Sequence, residues 1–302
     1  MSKKVVKRSK PHISVIVPVY NGEKTIGRLL DSIETLRNEA LTFEVLVVDN
    51  NSTDQTVNIV NQYPVKLLEF KDFQSSYAAR NTGIYSANGS IVAFTDCDCI
   101  ADKNWLQNIW AHFQHNDLDF LAGQIDFTFS QKPTLAEQWD AYRNLSNEKN
   151  MKLGFAATAN LAVRRSLFDQ IGLFPEVTSG GDFIWTNRAE KFNVKSMYAK
   201  DVIVYHKARK LKQLLNKSYR VGLGRIAVLC QLKWSTTKIL FNTFTLLTPI
   251  SIKDVVAFYK ESNFGTPISV LKMIWMAYLC NLCEFFGILS SLKAPSSSLI
   301  NR

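Results

Sequence analysis

No apolar segment follows the charged start of this chain, no internal repeat runs through it, and its cysteines are too scattered to close a metal cage. Residues 1–10, MSKKVVKRSK, hold five cations and no acid. Without an apolar stretch behind them they do not read as a secretory leader. Five cysteines (Cys97, Cys99, Cys230, Cys280 and Cys283) are an odd number in a chain of 302 residues. That points to a reducing, cytoplasmic setting rather than a disulfide framework. Cys97 and Cys99 form a CxC pair far from Cys280 and Cys283, which lie in a very apolar segment, so a structural zinc site is not expected. Acid is missing again between His206 and Lys238, where nine cations stand. The net charge of +10 suits an anionic partner, such as nucleotide phosphates or a membrane surface. Nucleic acid is not expected, because no binding motif is present and the aromatics do not interleave with the basic runs.

A clean bilayer span is lacking too. In PISVLKMIWMAYLCNLCEFFGILSSL (267–292) only eleven uncharged residues separate Lys272 from Glu284, short of the roughly 20 that cross a bilayer. An interfacial helix, a re-entrant hairpin or a core helix fits better.

What is present is a globular balance, 46% apolar and 21% charged, in a chain long enough for one large α/β domain or two small ones. Short apolar runs alternate with amphipathic ones. ISVIVPVY, FEVLVVDN, VKLLEF and SIVAFTD read as strands; KTIGRLLDSIETLRN, SSYAARNTGIYSA and NWLQNIWAHF read as helices. Ser52 and Gln55 suggest a capping box for a further short helix. This alternation predicts βαβ units and a mostly parallel sheet covered on both faces. Further on, LAGQIDFTF reads as a strand and TLAEQWDAYRNLSNEKN as one helix. KSMYAKDVIVYHK reads as two short strands ending at His206, and LLNKSYRVGLGRIAVLCQLKW as a basic amphipathic helix.

In open sheets of this kind, ligands bind beyond the carboxyl ends of the strands. Pro18, Asp49 and Asp96 all fall at such ends. Asp96-Cys97-Asp98 is a DxD, and on extended backbone residues i and i+2 point the same way. Two carboxylates on one side suit a hard divalent cation that can bridge a diphosphate. A metal site shared with the cysteines, or a plain polar loop, are the other readings of these residues alone.

VIVPVYNGEKTI, VLVVDNNSTDQT, AARNTGI and VAFTDCDC occur in that order along the alternating region. This ordered set resembles the family 2 glycosyltransferases of the GT-A fold, from about Ile13 to His206 and more weakly to Arg225. The resemblance implies an α/β, Rossmann-like, mostly parallel sheet flanked by helices; the residues beyond it read as a helical, apolar C-terminal extension. It also implies transfer of a sugar from a nucleotide-sugar, UDP-type, to an acceptor hydroxyl with inversion, assisted by Mn²⁺ or Mg²⁺. Position by position, it places Pro18, Val19 and Tyr20 against the base and ribose, Asp49 as acceptor from the base, and Arg80 near the base or diphosphate. Asp96 would hold the ribose or a metal-bound water and Asp98 the metal itself, with His206 a further metal ligand. Asn160 would line the sugar pocket. The basic stretch after His206 has two readings of its own: Arg220 and Arg225 close over the departing diphosphate, or the patch presses on anionic lipid with help from the apolar C-terminal segment.

The base of the reaction is implied at Asp182 in FPEVTSGGDFIWTNRAEKF, with Glu176 a weaker candidate. Gly181 stands where the family often has glutamate. Trp185 reads as core rather than as a sugar-stacking ring. The expected organisation is a basic flexible start (1–12), a nucleotide-sugar-binding half (13–125), an acceptor-binding and catalytic half (126–208) and the extension (209–302). The expected acceptor is a glycan or lipid-linked glycan, met at the cytoplasmic membrane face through peripheral contact of the extension. Two other readings share the layout. One is a sugar-1-phosphate nucleotidyltransferase, whose GxGxRL-type loop is absent; the other is an inactive binding or scaffold subunit. No role is assigned to Cys99.

Overall fold

Seven consecutive buried residues form the central strand β1 (Ile13–Val19). Val15 and Val17 face one apolar core and Ile16 the other, as alternation along a strand requires. The structure is a computed structural model that describes residues 10–38, 41–248 and 270–293. Most of the expected loose start and the tail from residue 294 lie outside the described residues. Strand β1 pairs in parallel with β2 (Phe43–Asp49) and β4 (Ile91–Thr95), and β2 with β3 (Lys66–Glu69). Helices α1 (Ile26–Glu34), α2 (Thr56–Val60) and α3 (Ser76–Ser86) connect them. Ile26, Leu29, Leu30 and Ile33 form the buried face of α1, the stripe expected from the sequence. The expected Ser52/Gln55 box does not form. Ser52 Oγ instead accepts the Asn21 N–H at 2.9 Å, and Asp54 Oδ1 accepts the Thr56 N–H at the helix start at 3.0 Å.

The second half is less regular. Strand β5 (Cys99–Ala101) precedes α4 (Trp105–His115), and β6 (Phe120–Thr128) runs across the boundary expected at 125/126. Then come α5 (Leu135–Arg143), α6 (Asn147–Lys152), β7 (Asn160–Arg164), α7 (Ser166–Ile171), α8 (Gly181–Glu190) and β8 (Ser196–Lys207). All strands join one eight-stranded sheet in the order β3-β2-β1-β4-β7-β6-β8-β5. Strand β7 lies antiparallel to β4 and β6, and β5 antiparallel to β8, whereas β6 and β8 are parallel. The parallel expectation therefore holds from β3 to β4, and the rest of the sheet is mixed.

Two local readings change. The helix expected over 134–150 breaks into α5 and α6 around Leu145, which adopts φ 55°, a conformation that ends a right-handed helix. The two strands expected over 195–207 are one strand, β8, whose register shifts opposite Gly123/Gln124.

Beyond the sheet stand α9 (Leu211–Gln231), α10 (Thr236–Thr245) and α11 (Val270–Lys293). Helices α9 and α11 touch backbone to backbone. A Cβ on Gly222 would lie 2.1 Å from the Glu284 carbonyl oxygen, and one on Gly287 would lie 2.1 Å from that of Tyr219. The extent of α11 exceeds the sequence expectation. It is one helix of 24 residues, about 36 Å long at 1.5 Å per residue, and is long and apolar enough to cross a membrane. Glu284, which interrupts the apolar run, is paired with Arg225 of α9. A third of the apolar window, 33%, is buried. Leu271, Trp275, Phe286 and Leu292 are exposed, as are Phe241 and Phe244 of α10.

Candidate active site

The two aspartates of the DxD do not lie on extended backbone. Strand β4 ends at Thr95, and a tight turn follows in which the Cys99 N–H donates to the Asp96 carbonyl at 3.0 Å. The carboxylates diverge. Asp96 receives a hydrogen bond from Arg80 Nη2 of α3 at 2.5 Å, while Asp98 Oδ2 lies 3.3 Å from His206 Nε2. Cys99 explains the second meeting. It opens β5 and pairs in register with His206 of β8, which brings that ring beside its neighbour Asp98. Its own side chain is buried in the core, and Cys97 packs partly buried against the same cluster. Neither thiol joins the carboxylates as a metal-binding group.

A buried network continues from His206. Arg209 Nη2 meets His206 Nε2 at 3.0 Å, and Arg209 Nη1 donates to Asp140 at 3.3 Å. Asp140 of α5 is fully buried; it also accepts the Arg209 N–H at 2.9 Å and the Asn144 side-chain amide at 2.9 Å. Lys217 Nζ of α9 stands 4.0 Å from Asp140 Oδ1. Burial opposes the charge of Asp98, but the His206 hydrogen bond and the charges of His206 and Arg209 outweigh it and hold the carboxyl well below the usual range. Burial and the cation of Arg209 push the Lys217 ammonium down to about 7, with Asp140 opposing and exposed Arg220 adding to the repulsion.

Asp182 lies in the first turn of α8. Its Oδ1 accepts the Tyr77 hydroxyl at 2.9 Å and the Phe183 N–H at 3.0 Å. Burial and the adjacent Asp182 charge push the Tyr77 phenol up, so it stays a donor. Tyr77 and Arg80 stand three residues apart on α3, the spacing of one helix face, with the Arg80 guanidinium 5.5 Å from the Tyr77 ring centroid. That face contacts Asp96 through Arg80 and Asp182 through Tyr77. It also accounts for Gly181, since a Cβ there would lie 2.8 Å from the Tyr77 ring.

At the end of β2, buried Asp49 accepts the Ser52 N–H at 3.1 Å. Asn50 beside it accepts the Ser75 N–H at 2.7 Å and donates to the carbonyls of Phe70 and Phe73. This braces the segment leading to Ser75, whose Oγ caps α3 by accepting the Ala78 N–H. Tyr20 is 45% exposed next to this loop.

The family model described as "Glycosyl transferase family 2" matches residues 14–172. The chain is a family 2 glycosyltransferase. The glycosyltransferase AglE of Haloferax volcanii is 33% identical over 291 residues, covering 93% of this chain and 96% of its own length. The Escherichia coli UDP-Glc:alpha-D-GlcNAc-diphosphoundecaprenol beta-1,3-glucosyltransferase WfgD is 25% identical over 61% of this chain and 72% of its own. Among solved structures, the Pyrobaculum calidifontis mannosyltransferase PcManGT, in complex with GDP-Man and Mn²⁺, superposes with a TM-score of 0.55 at 19% identity. It covers 95% of this chain and 77% of its own, a likeness of fold. The fold is GT-A, and the activity class is sugar transfer from a nucleotide-sugar donor.

Within this glycosyltransferase, several expected positions are occupied differently. Asn160 does not line a sugar pocket. It is 1% exposed; its Oδ1 accepts the Trp105 indole N–H, and its Nδ2 donates to the carbonyls of Gln124 and Val202. The amide is spent bracing β7, α4, β6 and β8. Val19 turns its side chain into the core, and Pro18 is buried in β1, leaving Tyr20 as the exposed side chain of that trio. Arg225 is committed to Glu284 and Asn242 rather than to a leaving group. Trp185 is core, fully buried, with its N–H on the Gly172 carbonyl. Glu176 is exposed and Arg220 is exposed on α9.

Among the described residues no three His, Cys, Asp or Glu side chains form a metal cage. Asp98 and His206 still fit as two ligands. Their facing atoms are 3.3 Å apart, near the ~3.0 Å between adjacent donors of an octahedral ion with bonds of about 2.1 Å. Asp96, held by Arg80, does not fit as a third. Tyr77, Asp140, Arg209 and Lys217 were missed from sequence. Arg209 stood in the flagged basic stretch, but Asp140 looked like any polar residue of an amphipathic helix.

Gly181→Ala is expected to destabilise the enzyme by about 1–3 kcal/mol, because the added methyl meets a packed ring. The check is thermal melting of this variant in wild-type and Tyr77→Ala backgrounds, where the penalty should vanish in the second.

Proposed function

We propose that this glycosyltransferase moves a sugar from a UDP-type nucleotide-sugar to a hydroxyl of a glycan or lipid-linked acceptor, with inversion, at the cytoplasmic membrane face. The observation that carries the reading is the single face of α3 that contacts Asp96 through Arg80 and Asp182 through Tyr77. One helix thereby sets the spacing between the DxD turn and a carboxylate suited to act as base.

In this reading Asp49 accepts from the base, and Tyr20 lies against it. Asp96 binds the ribose, with Arg80 lending its charge to the diphosphate. Asp98 and His206 hold a Mn²⁺ or Mg²⁺ ion, which would neutralise charge gathering on the departing diphosphate. Arg220 adds a cation near that group. Asp182 takes the proton of the acceptor hydroxyl, and attack opposite the leaving diphosphate inverts the anomeric carbon. WfgD, by its name, uses UDP-Glc and a diphosphoundecaprenol-linked sugar, which supports the UDP-type donor; PcManGT was captured with GDP-Man and Mn²⁺, which supports a nucleotide-sugar donor and the metal. The exposed apolar faces of α10 and α11 support peripheral membrane contact. The inactive-scaffold reading rested on the missing glutamate, and the Tyr77 ring accounts for that glycine without loss of Asp182.

The test is a panel of nucleotide-sugars by thermal shift. UDP-sugars at about 100 times their Kd should stabilise by about 2.7 kcal/mol, on the order of 5 °C, with Mn²⁺ and not with EDTA. A larger shift from GDP-sugars would overturn the uridine assignment.

A further inference from the structure

His206 Nε2 faces two groups of opposite character. Arg209 Nη2 stands 3.0 Å from it and Asp98 Oδ2 3.3 Å. A guanidinium only donates, and an ionised carboxylate only accepts. The one nitrogen carries either a proton, which it donates to Asp98, or a lone pair, which accepts from Arg209. The rest of the ring offers no other anchor. His206 is 1% exposed, and its Nδ1 has no hydrogen-bond partner among the described residues.

Arg209 is held in this position from behind. Asp140, fully buried, accepts the Arg209 backbone N–H at 2.9 Å and Nη1 at 3.3 Å. The guanidinium then reaches His206 with its other amino group. A planar fork can hold two partners with separate nitrogens, whereas an ammonium is a single point charge. Asp140 also has Lys217 Nζ at 4.0 Å, so Arg209 is not its sole counter-charge. The Arg209 side chain is 16% exposed and that of Asp98 40%, so the contact opens to solvent on the Asp98 side.

A divalent ion on Asp98 and His206 would need the same Nε2 lone pair and the same carboxylate charge. Arg209 therefore opposes it twice, by filling the lone pair and by like-charge repulsion. A diphosphate reverses the balance. It brings negative charge to the metal and gives the guanidinium a bidentate partner of its own. We propose that Arg209 is an internal counter-cation of the metal site, competing with the metal for His206 and Asp98 until a donor diphosphate draws it away. Metal and nucleotide-sugar then bind cooperatively, each tightening the other by the same factor. The inference rests on the assignment of Asp98 and His206 as metal ligands above, and adds the residue that couples metal to donor.

The test is a titration of the full chain with Mn²⁺, read from the electron paramagnetic resonance signal of the free ion, with and without UDP. Arg209→Met removes the competing charge, with Lys217 left beside Asp140. Its Kd for Mn²⁺ alone is expected to fall tenfold or more, the scale of one hydrogen bond to a charged group. The factor by which UDP tightens Mn²⁺ is expected to shrink as well. Arg209→Lys, which keeps a charge for Asp140 but cannot fork to His206, should shift both quantities the same way by less, and serves if the methionine variant does not fold. An unchanged or weaker Kd for Mn²⁺ alone in the folded variants overturns the inference. So does equal tightening in an Asp98→Ala background, since the ion would then lie elsewhere. Failure of the metal reading itself shows separately, in the wild type with UDP, as a Kd for Mn²⁺ that Asp98→Ala leaves unchanged.

Discussion

Asp98→Ala is expected to lower turnover by three orders of magnitude or more and to remove the Mn²⁺-dependent part of the UDP thermal shift. Asp98 is the carboxylate of the DxD that faces His206 rather than an arginine. Removing it takes away one of the two donors that fit a metal and leaves His206 Nε2 facing Arg209 alone. A metal at a departing diphosphate contributes several kcal/mol to the transition state, and each 1.36 kcal/mol is about tenfold in rate. The pH dependence has a definite sign. The folded carboxyl is held well below its ordinary value by His206 and Arg209 against the cost of burial. Its contribution is therefore complete above the usual carboxylate range, and is lost only as pH falls through the depressed folded value. Turnover between about pH 5 and 8 should then show no titration of Asp98. Steady-state kinetics across that range, with and without Mn²⁺, is the check, and a variant keeping a tenth of wild-type turnover would sink the metal assignment.

How far such a site can be read from sequence depends on how local its contacts are. Strands β1 to β4 and helix α1 declare themselves because their apolar runs and stripes are local in the sequence; β2 pairs with its chain neighbours β1 and β3, and only β4 reaches back past two strands to β1. The Tyr77–Arg80 face of α3 is a helical spacing and was open to inspection, but its partners Asp96 and Asp182 lie 16 and 105 residues away. The meeting of Asp98 with His206 depends on a three-residue strand pairing Cys99 with a residue 107 positions later, and no periodicity announces that. The rule that i and i+2 share a side failed at the DxD because a turn intervenes after Thr95. Asn160 was misplaced for a related reason. A polar residue at a strand start reads as available, yet buried polar groups must be paired, and three protein partners take all it offers.

The extension shows the same limit from another side. Counting charges along α11 finds Lys272 and Glu284 and stops the apolar run between them. In the fold, Glu284 turns to Arg225, and two glycines let α11 lie directly on α9. Helix α9 also carries Lys217, next to Asp140 and the buried network that leads to Asp98. The apolar helix is thus tied to the helix that borders the active site, so a membrane contact through α11 would hold the site at a fixed distance from the lipid surface.

Asp182→Asn should cut turnover by about 10²–10⁴-fold, the usual contribution of a positioned general base, with donor binding unchanged. Asparagine keeps the size of the side chain and its carbonyl oxygen can still accept from Tyr77 and from the Phe183 N–H, so the first turn of α8 stays intact. What it cannot do is take a proton. Tyr77→Phe separates orientation from basicity. The carboxylate remains, but the hydroxyl that aims it is gone, and a loss of about tenfold in kcat without change in donor KM is expected for a positioning residue. The two substitutions should not add in the double variant, because an amide that accepts no proton gains nothing from being aimed. Single-turnover kinetics with a radiolabelled donor distinguishes these effects from slow product release. Full turnover in Asp182→Asn would move the base elsewhere, with exposed Glu176 of the same segment the next carboxylate to substitute. A normal Asp182→Asn donor shift together with lost transfer would place the defect at the acceptor proton.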